Sequence, residues 1–368
     1  MIRNSINCKL IWSPNLAIAA ALVLAPLASF LTACGGSSSG HSAGTVLGAA
    51  TSTCDFTRRV AGTAGTQICT ISYNDPTDGA VTRELRLHIP PGLNQNSGIV
   101  FFMHGGGGDF FEGEAQTRFT PLSDSTKSFV AVYPRGTIDA LPEQSRTWNT
   151  LLPNNPAVWG GPAPDDVNFV RQITGLLEAQ LPIDPKQVYA TGLSVGGFMA
   201  HRLGVELSDV LASVAVVEGS LHAESFSPHT VSEHIKSPIS VLIFHGDADN
   251  TFPYCGVNTG TGYVASQDET FNYWAGSLAN SCSQLDTTQN FCNNGAINNA
   301  ILEKDATGCS GGVEVKHLKL AAGNHQWYEQ ITNVAPGSVT TPYNPTVSPN
   351  LVGETALMWN FFNSHRKP

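Results

Sequence analysis

One run constrains the fold more than any other stretch of the chain: Val188-Tyr189-Ala190-Thr191-Gly192-Leu193-Ser194-Val195-Gly196-Gly197-Phe198-Met199-Ala200. β-Branched and aromatic residues after Asp184-Pro185 predict a strand, and Val195, Phe198, Met199 and Leu203, spaced by three and four, predict a helix. Ser194 stands in the turn between them, with Gly192 and Gly196 two residues away on either side, where a sharp turn tolerates no Cβ. Such a G-x-S-x-G turn lifts a serine hydroxyl out of the sheet toward a base. It also aims the amide of Val195, at the helix start, toward a developing oxyanion. The expected fold class is α/β, a mostly parallel central sheet with helices on both faces.

Other segments fit that frame. Strands are expected over Gln67–Ser72, Val81–Ile89, Gly98–Met103, Phe129–Tyr133, Ala212–Val217, Ile239–Phe244 and Val313–Leu320. Helices are expected over Asp165–Leu181, within Tyr263–Leu278 and over Gly353–Phe362, and the Asn- and Cys-rich run that ends at Cys309 reads as a stapled loop. The buried strand ending at Met103 runs into His104-Gly105-Gly106-Gly107-Gly108, whose backbone amides can face inward with no side chain in the way. Gly106 is the candidate second oxyanion donor, beside Val195. The strand ending at Phe244 empties into His245-Gly246-Asp247-Ala248-Asp249, the position of an orienting acid after the elbow. Asp249 is the candidate and Asp247 its competitor. A histidine just past the last strand, His325, completes the chain order serine, acid, base.

Composition decides compartment and partners. With 19 Lys+Arg against 29 Asp+Glu, the 368-residue chain offers no basic patch for nucleic acid. Arg3, Lys9 and the apolar run from Leu16 to Ala33 read as a signal peptide over residues 1–33. Leu31-Thr32-Ala33-Cys34 resembles the lipobox of bacterial lipoproteins, which predicts cleavage before Cys34, diacylation of its thiol and a membrane contact through that anchor alone. Residues 34–50 read as a Gly/Ser tether and 51–368 as one catalytic domain, exported to the outer membrane, the periplasm or the cell surface. Of the eight cysteines, Cys8 leaves with the signal peptide and Cys34 carries lipid. Cys54, Cys69, Cys255, Cys282, Cys292 and Cys309 remain, an even set that predicts three disulfides. Cys54 with Cys69 is expected, then Cys282 with Cys309 and Cys255 with Cys292. No C-x-x-C pair suggests zinc, and no metal or organic cofactor is expected.

Together the motifs resemble the α/β-hydrolases of the polyhydroxybutyrate depolymerase, feruloyl esterase and acetylxylan esterase type. The matching runs are Asp165-Asp166-Val167-Asn168-Phe169, Ile183-Asp184-Pro185, Thr191-Gly192-Leu193-Ser194, His245 to Asp249 with Pro253-Tyr254, and Gly323-Asn324-His325-Gln326-Trp327. The resemblance implies Ser194 as nucleophile, Asp249 as orienting acid and His325 as base, with a Trp-containing floor near Trp148 and Trp327; His104 is the third substrate-lining candidate. Val195 stands where the family often has Asn or Ala, and Asn324 separates Gly323 from His325 where the family usually has Gly-His. The chain ends without the linker and substrate-binding domain of secreted polyester depolymerases, which favours oligomers or small esters over crystalline polymer. The expected function is hydrolysis of hydroxyalkanoate, feruloyl or acetyl-type esters through an acyl-enzyme. An exported serine peptidase, an acyltransferase and a non-enzymatic surface lipoprotein are the rivals.

Overall fold

In the computed structural model of the chain, residues 50–76, 78–140, 144–150, 163–221, 235–258, 263–285, 292, 301–329 and 353–367 are described. The expected signal peptide, Cys34 and nearly all of the tether lie outside them. Within them runs an 11-stranded sheet. Its strands are β1 (Thr51–Ser52), β2 (Gln67–Asp75), β3 (Gly79–His88), β4 (Ser97–Met103), β5 (Phe129–Pro134) and β6 (Ile183–Leu193). They continue with β7 (Ser213–Val217), β8 (Ser240–Gly246), β9 (Gln284–Leu285), β10 (Ile301–Thr307) and β11 (Val315–Leu320). The spatial order is β1-β2-β3-β5-β4-β6-β7-β8-β11-β10-β9. From β5 to β11 the neighbours are parallel, and the strands outside that block are antiparallel.

Four of the parallel strands, β4, β5, β7 and β8, are buried at every position, which is why they read as largely apolar runs. Alternation along β4 sends Ile99, Phe101 and Met103 into one core, shared with α3 (Asp166–Gln180), α4 (Val195–Glu206) and α5 (Gln267–Ala275). Val100 and Phe102 enter the other, shared with α1 (Phe110–Thr117), α2 (Phe119–Thr126) and α6 (Glu354–Ser364). Each such large apolar side chain taken from water contributes about 1.5–3 kcal/mol. α3 begins where the Asp165 carboxylate accepts the Asn168 N–H at 2.8 Å, and the acid at Asp166 suits the positive end of the helix dipole.

Several expectations are corrected. The strand before the elbow starts at Ile183, since its pairing with β4 steps from Ser97↔Ile183 to Ile99↔Val188 and the extra residues on this strand take up the Asp184-Pro185 corner. The helix expected within Tyr263–Leu278 is present as α5, whose first turn is fixed by the capping box of Ser266 and Glu269, and Tyr263–Val264 before it pairs with Val257–Asn258. The stapled loop before Cys309 contains β10, antiparallel to β11. Its Lys304 is nearly buried, with the ammonium 3.2 Å from Asp268 and over the Phe271 ring, so the strand lacks the usual apolar inward face. Disulfides join Cys54 to Cys69 and Cys282 to Cys309. The third expected pair, Cys255 and Cys292, comes together as neighbouring thiols rather than as a disulfide, and Cys292 also donates its S–H to the Tyr254 carbonyl (3.9 Å) and its N–H to Asp268 (3.3 Å).

α6 docks through acids. Tyr328 and Glu354 exchange two hydrogen bonds, Tyr328 N–H to the Glu354 carboxyl and Glu354 N–H to the Tyr328 carbonyl, both 2.9 Å. Beside them burial pushes the Glu329 carboxyl up to about 7, against the opposing hydrogen bonds of Thr355 and Trp327. A folded-state pKa above the ordinary 4.5 means that the fold binds this proton more tightly than the unfolded chain does. Stability from this group is therefore full below the ordinary value and is lost as pH rises through about 7. We expect the thermal midpoint to fall between pH 5 and 8, and to fall less steeply in Glu329→Gln, by scanning calorimetry across that range.

Candidate active site

The carboxyl ends of β4, β6, β7, β8 and β11 lie side by side, so each candidate residue leaves the sheet on one edge. Ser194 adopts φ 60° and ψ −125°, a sparsely populated conformation of the kind that clusters at functional sites. The turn is held by Ser194 N–H to Val217 O (2.9 Å) and Phe198 N–H to Ser194 O (3.0 Å). Its glycines are required by close approach: a Cβ on Gly196 would lie 2.0 Å from Met103 O, and one on Gly192 would lie 2.2 Å from Gly196 O. This is a tight G-x-S-x-G strand–turn–helix on a parallel sheet, followed along the chain by an acid and then a histidine at the ends of later strands. The fold is the α/β-hydrolase fold.

Across the edge, His325 Nδ1–H donates to Asp249 Oδ2 at 2.7 Å. The other Asp249 oxygen accepts the N–H groups of Thr251 (2.7 Å) and Phe252 (3.0 Å). Burial works to raise the Asp249 pKa, but the His325 and backbone hydrogen bonds outweigh it and hold the carboxyl at about 2. Asp247 is used differently: it accepts Ala322 N–H at 2.6 Å, while Asp247 N–H donates to Leu320 O at 3.0 Å. The acid turn and the histidine loop are thus laced together. They also touch backbone to backbone, since a Cβ on Gly246 would meet Gly323 O at 2.2 Å.

Ser194 and His325 line one cleft of about 170 Å³, with His104, Gly105, Gly106 and Gly108 on the glycine loop and Glu112, Gly113 and Gln116 on α1. Gly107 N–H is taken by Arg146 O (2.7 Å) and Gly108 N–H by Gly105 O (3.0 Å). Among the described residues the amides of Gly105, Gly106 and Val195 have no hydrogen-bond acceptor, that of Val195 as an orphan at the first position of α4. The two residues are neighbours, since a Cβ on Gly106 would stand 3.2 Å from a Val195 methyl. Glu112 and Gln116 were missed in the sequence because α1 carries no side-chain cap to announce it.

The tryptophans are corrected. Trp148 is 2% exposed and donates its indole N–H to His104 O at 2.8 Å, so it braces the glycine loop from behind. Trp327 is 6% exposed, packs against Phe102 and Phe119, and donates to Glu329 (3.0 Å) and Thr355 (3.2 Å). Neither is among the side chains that line the cleft. Both are amphipathic rings whose N–H found a buried partner, a use that composition does not distinguish from a substrate wall. His104 does line the cleft, but its ring is committed: Nδ1–H donates to Gly105 O (2.8 Å) and Nε2 accepts Gly136 N–H (3.0 Å). Burial lowers its pKa and keeps it neutral at neutral pH.

No family model matches the chain. It is similar to a putative esterase, NocK, of Nocardia uniformis subsp. tsuyamanensis, 33% identical over 184 residues, or 48% of each chain. It is 25% identical over 288 residues to the bifunctional acetylxylan esterase/xylanase XynS20E of Neocallimastix patriciarum, covering 73% of this chain and 37% of that one. Poly(3-hydroxyalkanoate) depolymerase C of Paucimonas lemoignei is 29% identical over 132 residues, 36% of this chain and 30% of that one. The chain thus spans about half or less of the length of these curated relatives. Among solved structures, an acetyl xylan esterase from Aspergillus awamori aligns with a TM-score of 0.45 at 16% identity, over 76% of this chain and 94% of that one.

The elbow makes a local prediction. Gly196→Ala drives a methyl group into the Met103 and His104 carbonyls, and should cost about 3 kcal/mol in urea unfolding together with any hydrolytic activity. Gly175→Ala, where a Cβ on α3 meets nothing within 4 Å, should instead stabilise by about 0.5–1 kcal/mol.

Proposed function

We propose that the chain is an exported serine esterase that works through an acyl-enzyme. The reading is carried by the hydrogen bond of 2.7 Å from His325 to Asp249, beside a cleft that His325 shares with an elbow serine. In this mechanism His325 Nε2 takes the Ser194 proton as Oγ attacks the ester carbonyl. Asp249 holds the imidazole tautomer through Nδ1–H and stabilises the imidazolium that forms. The amides of Val195 and Gly106 receive the oxyanion, each worth about 3 kcal/mol of barrier. The imidazolium returns its proton to the leaving alcohol, and water, activated by the same histidine, then releases the acid from Ser194.

Acetylxylan, feruloyl and hydroxyalkanoate esters are the substrate classes favoured, because relatives carry those names and no basic patch favours an anionic polymer. A cleft of about 170 Å³ beside the serine suits a short acyl group. Export rests on the signal-peptide pattern and on the two disulfides, and anchoring rests on Cys34. No helix among the described residues is long and apolar enough to cross a membrane.

The test is hydrolysis of p-nitrophenyl acetate, butyrate and octanoate, methyl ferulate and a hydroxybutyrate oligomer. The expected result is activity that falls from acetate to octanoate. Ser194→Ala should remove at least about 10⁴-fold of kcat, and Asp249→Asn about 10³–10⁴-fold, with little change in thermal midpoint. A folded chain silent on every ester overturns the reading and brings peptide bonds or acyl transfer to the front. Mass spectrometry of the lipid-extracted N-terminus tests the anchor, with a diacylglyceryl adduct on Cys34 expected.

A further inference from the structure

The carboxyl end of β7 carries an acid that no step of this mechanism employs. Glu218 follows Val217, whose carbonyl accepts the Ser194 N–H, and its own N–H donates to Phe244 O at 3.0 Å. It adopts φ 49°, in the left-handed region that disfavours a residue with a Cβ. The side chain is fully buried and turns to β8, where both carboxyl oxygens accept the Gly246 N–H, at 3.0 and 3.1 Å. Polar atoms of Glu218, His245 and Asp249 lie within 4.8 Å of one another.

We propose that Glu218 is a positioning residue for this site: its carboxyl O–H donates to Asp249 and fixes the carboxylate that orients His325. The proposal rests on the esterase reading above.

Two carboxyl groups whose oxygens lie within 4.8 Å of each other, both buried from water, do not both ionise, so they hold one proton between them. The donors around each decide which keeps it. Asp249 accepts three N–H groups, from His325, Thr251 and Phe252, which favour its charged form. Glu218 accepts one, from Gly246, and faces the acids Asp249 and Glu354. Burial first, and then those two acids, hold the Glu218 carboxyl well above the usual carboxylate range. His245 supplies no compensating charge: burial lowers its pKa to about 4, and its Nε2–H is given to Phe252 O at 2.8 Å. The neutral Glu218 therefore has a proton to donate and Asp249 has a lone pair to receive it. The link ties the acid turn to the segment that also accepts the Ser194 N–H, so nucleophile and acid are referenced to one anchor.

The full chain is assayed on p-nitrophenyl acetate as wild type, Ser194→Ala, Glu218→Gln and Glu218→Met, each with its thermal midpoint and with excess EDTA. A glutamine amide still donates to Asp249, so Glu218→Gln should keep kcat within about threefold, and Glu218→Met should lose about 10- to 100-fold in kcat with KM within about twofold. Glu218→Ala replaces the methionine variant if that chain does not fold. A folded Glu218→Gln that loses as much as the donor-less variant, or a wild type silenced by EDTA, overturns the proposal in favour of an ionised Glu218 or a cation held by the three side chains. Equal kcat in all Glu218 variants also overturns it while leaving the esterase reading intact, provided Ser194→Ala is dead. A wild type without ester hydrolysis overturns both.

Discussion

The site depends on one close approach of backbone to backbone. β4 and β6 run side by side and end together, and α4 leaves the end of β6 so tightly that Gly196 lies against the carbonyls of Met103 and His104. Only a residue without a Cβ permits that contact. From it follow the unusual dihedrals of Ser194, the unpaired first amide of α4 and the nearness of Gly106 to Val195. Gly197 extends the same packing sideways, since its missing Cβ leaves room for Val217 O at the end of β7. The geometry proposed for catalysis is therefore a property of the sheet's edge. Its loops are aimed by the main chain before any side chain acts.

The second constraint is charge in a dry place. Asp249 and Glu218 are buried together at the ends of adjacent strands, with the neutral His245 beside them. Burying a carboxylate costs far more than burying its acid, unless hydrogen bonds favour the ion. The fold distributes donors unequally, three N–H groups to Asp249 and one to Glu218. That asymmetry drives two like groups to opposite protonation states. The acids at the root of α6, Glu329 and Glu354, are also pushed toward the neutral form by burial, with no histidine among the described residues paired to either.

Much of this was legible in the sequence, for a physical reason. Strands buried on both faces are apolar at most positions, so β4, β5, β7 and β8 appear as short hydrophobic runs, and the residues that follow them are those at the sheet's edge. The elbow was legible because its steric demand writes glycine at fixed offsets. Asp249 and His325 were chosen by chain order, with Asp247 kept as competitor, and the two acids of that turn differ in their partners: Asp249 meets His325, Asp247 the Ala322 N–H. What stayed hidden was carried by tertiary pairing. β10 buries a lysine whose counter-ion, Asp268, is 36 residues away, and α1 starts at an Asp109 whose carboxylate is spent on Arg135. Trp148 and Trp327 look the same in sequence whether they face substrate or brace a loop.

Glu218 belongs to a different category of concealment. An acid directly after a buried strand was visible, yet it fits no motif, because the residue it serves lies 31 positions later and is reached only through the neighbouring strand. The sheet's parallel order makes that service natural. β7 stands between the strand that presents the serine and the strand that presents the acid, so a side chain at its end is the shortest route between the two turns. A nonpolar residue there would leave the Gly246 N–H without its buried acceptor, and an ionised one would face Asp249 with an unscreened like charge. A residue able to accept from Gly246 and donate to Asp249 satisfies both neighbours, and a neutral carboxylic acid does so with a side chain that spans the gap.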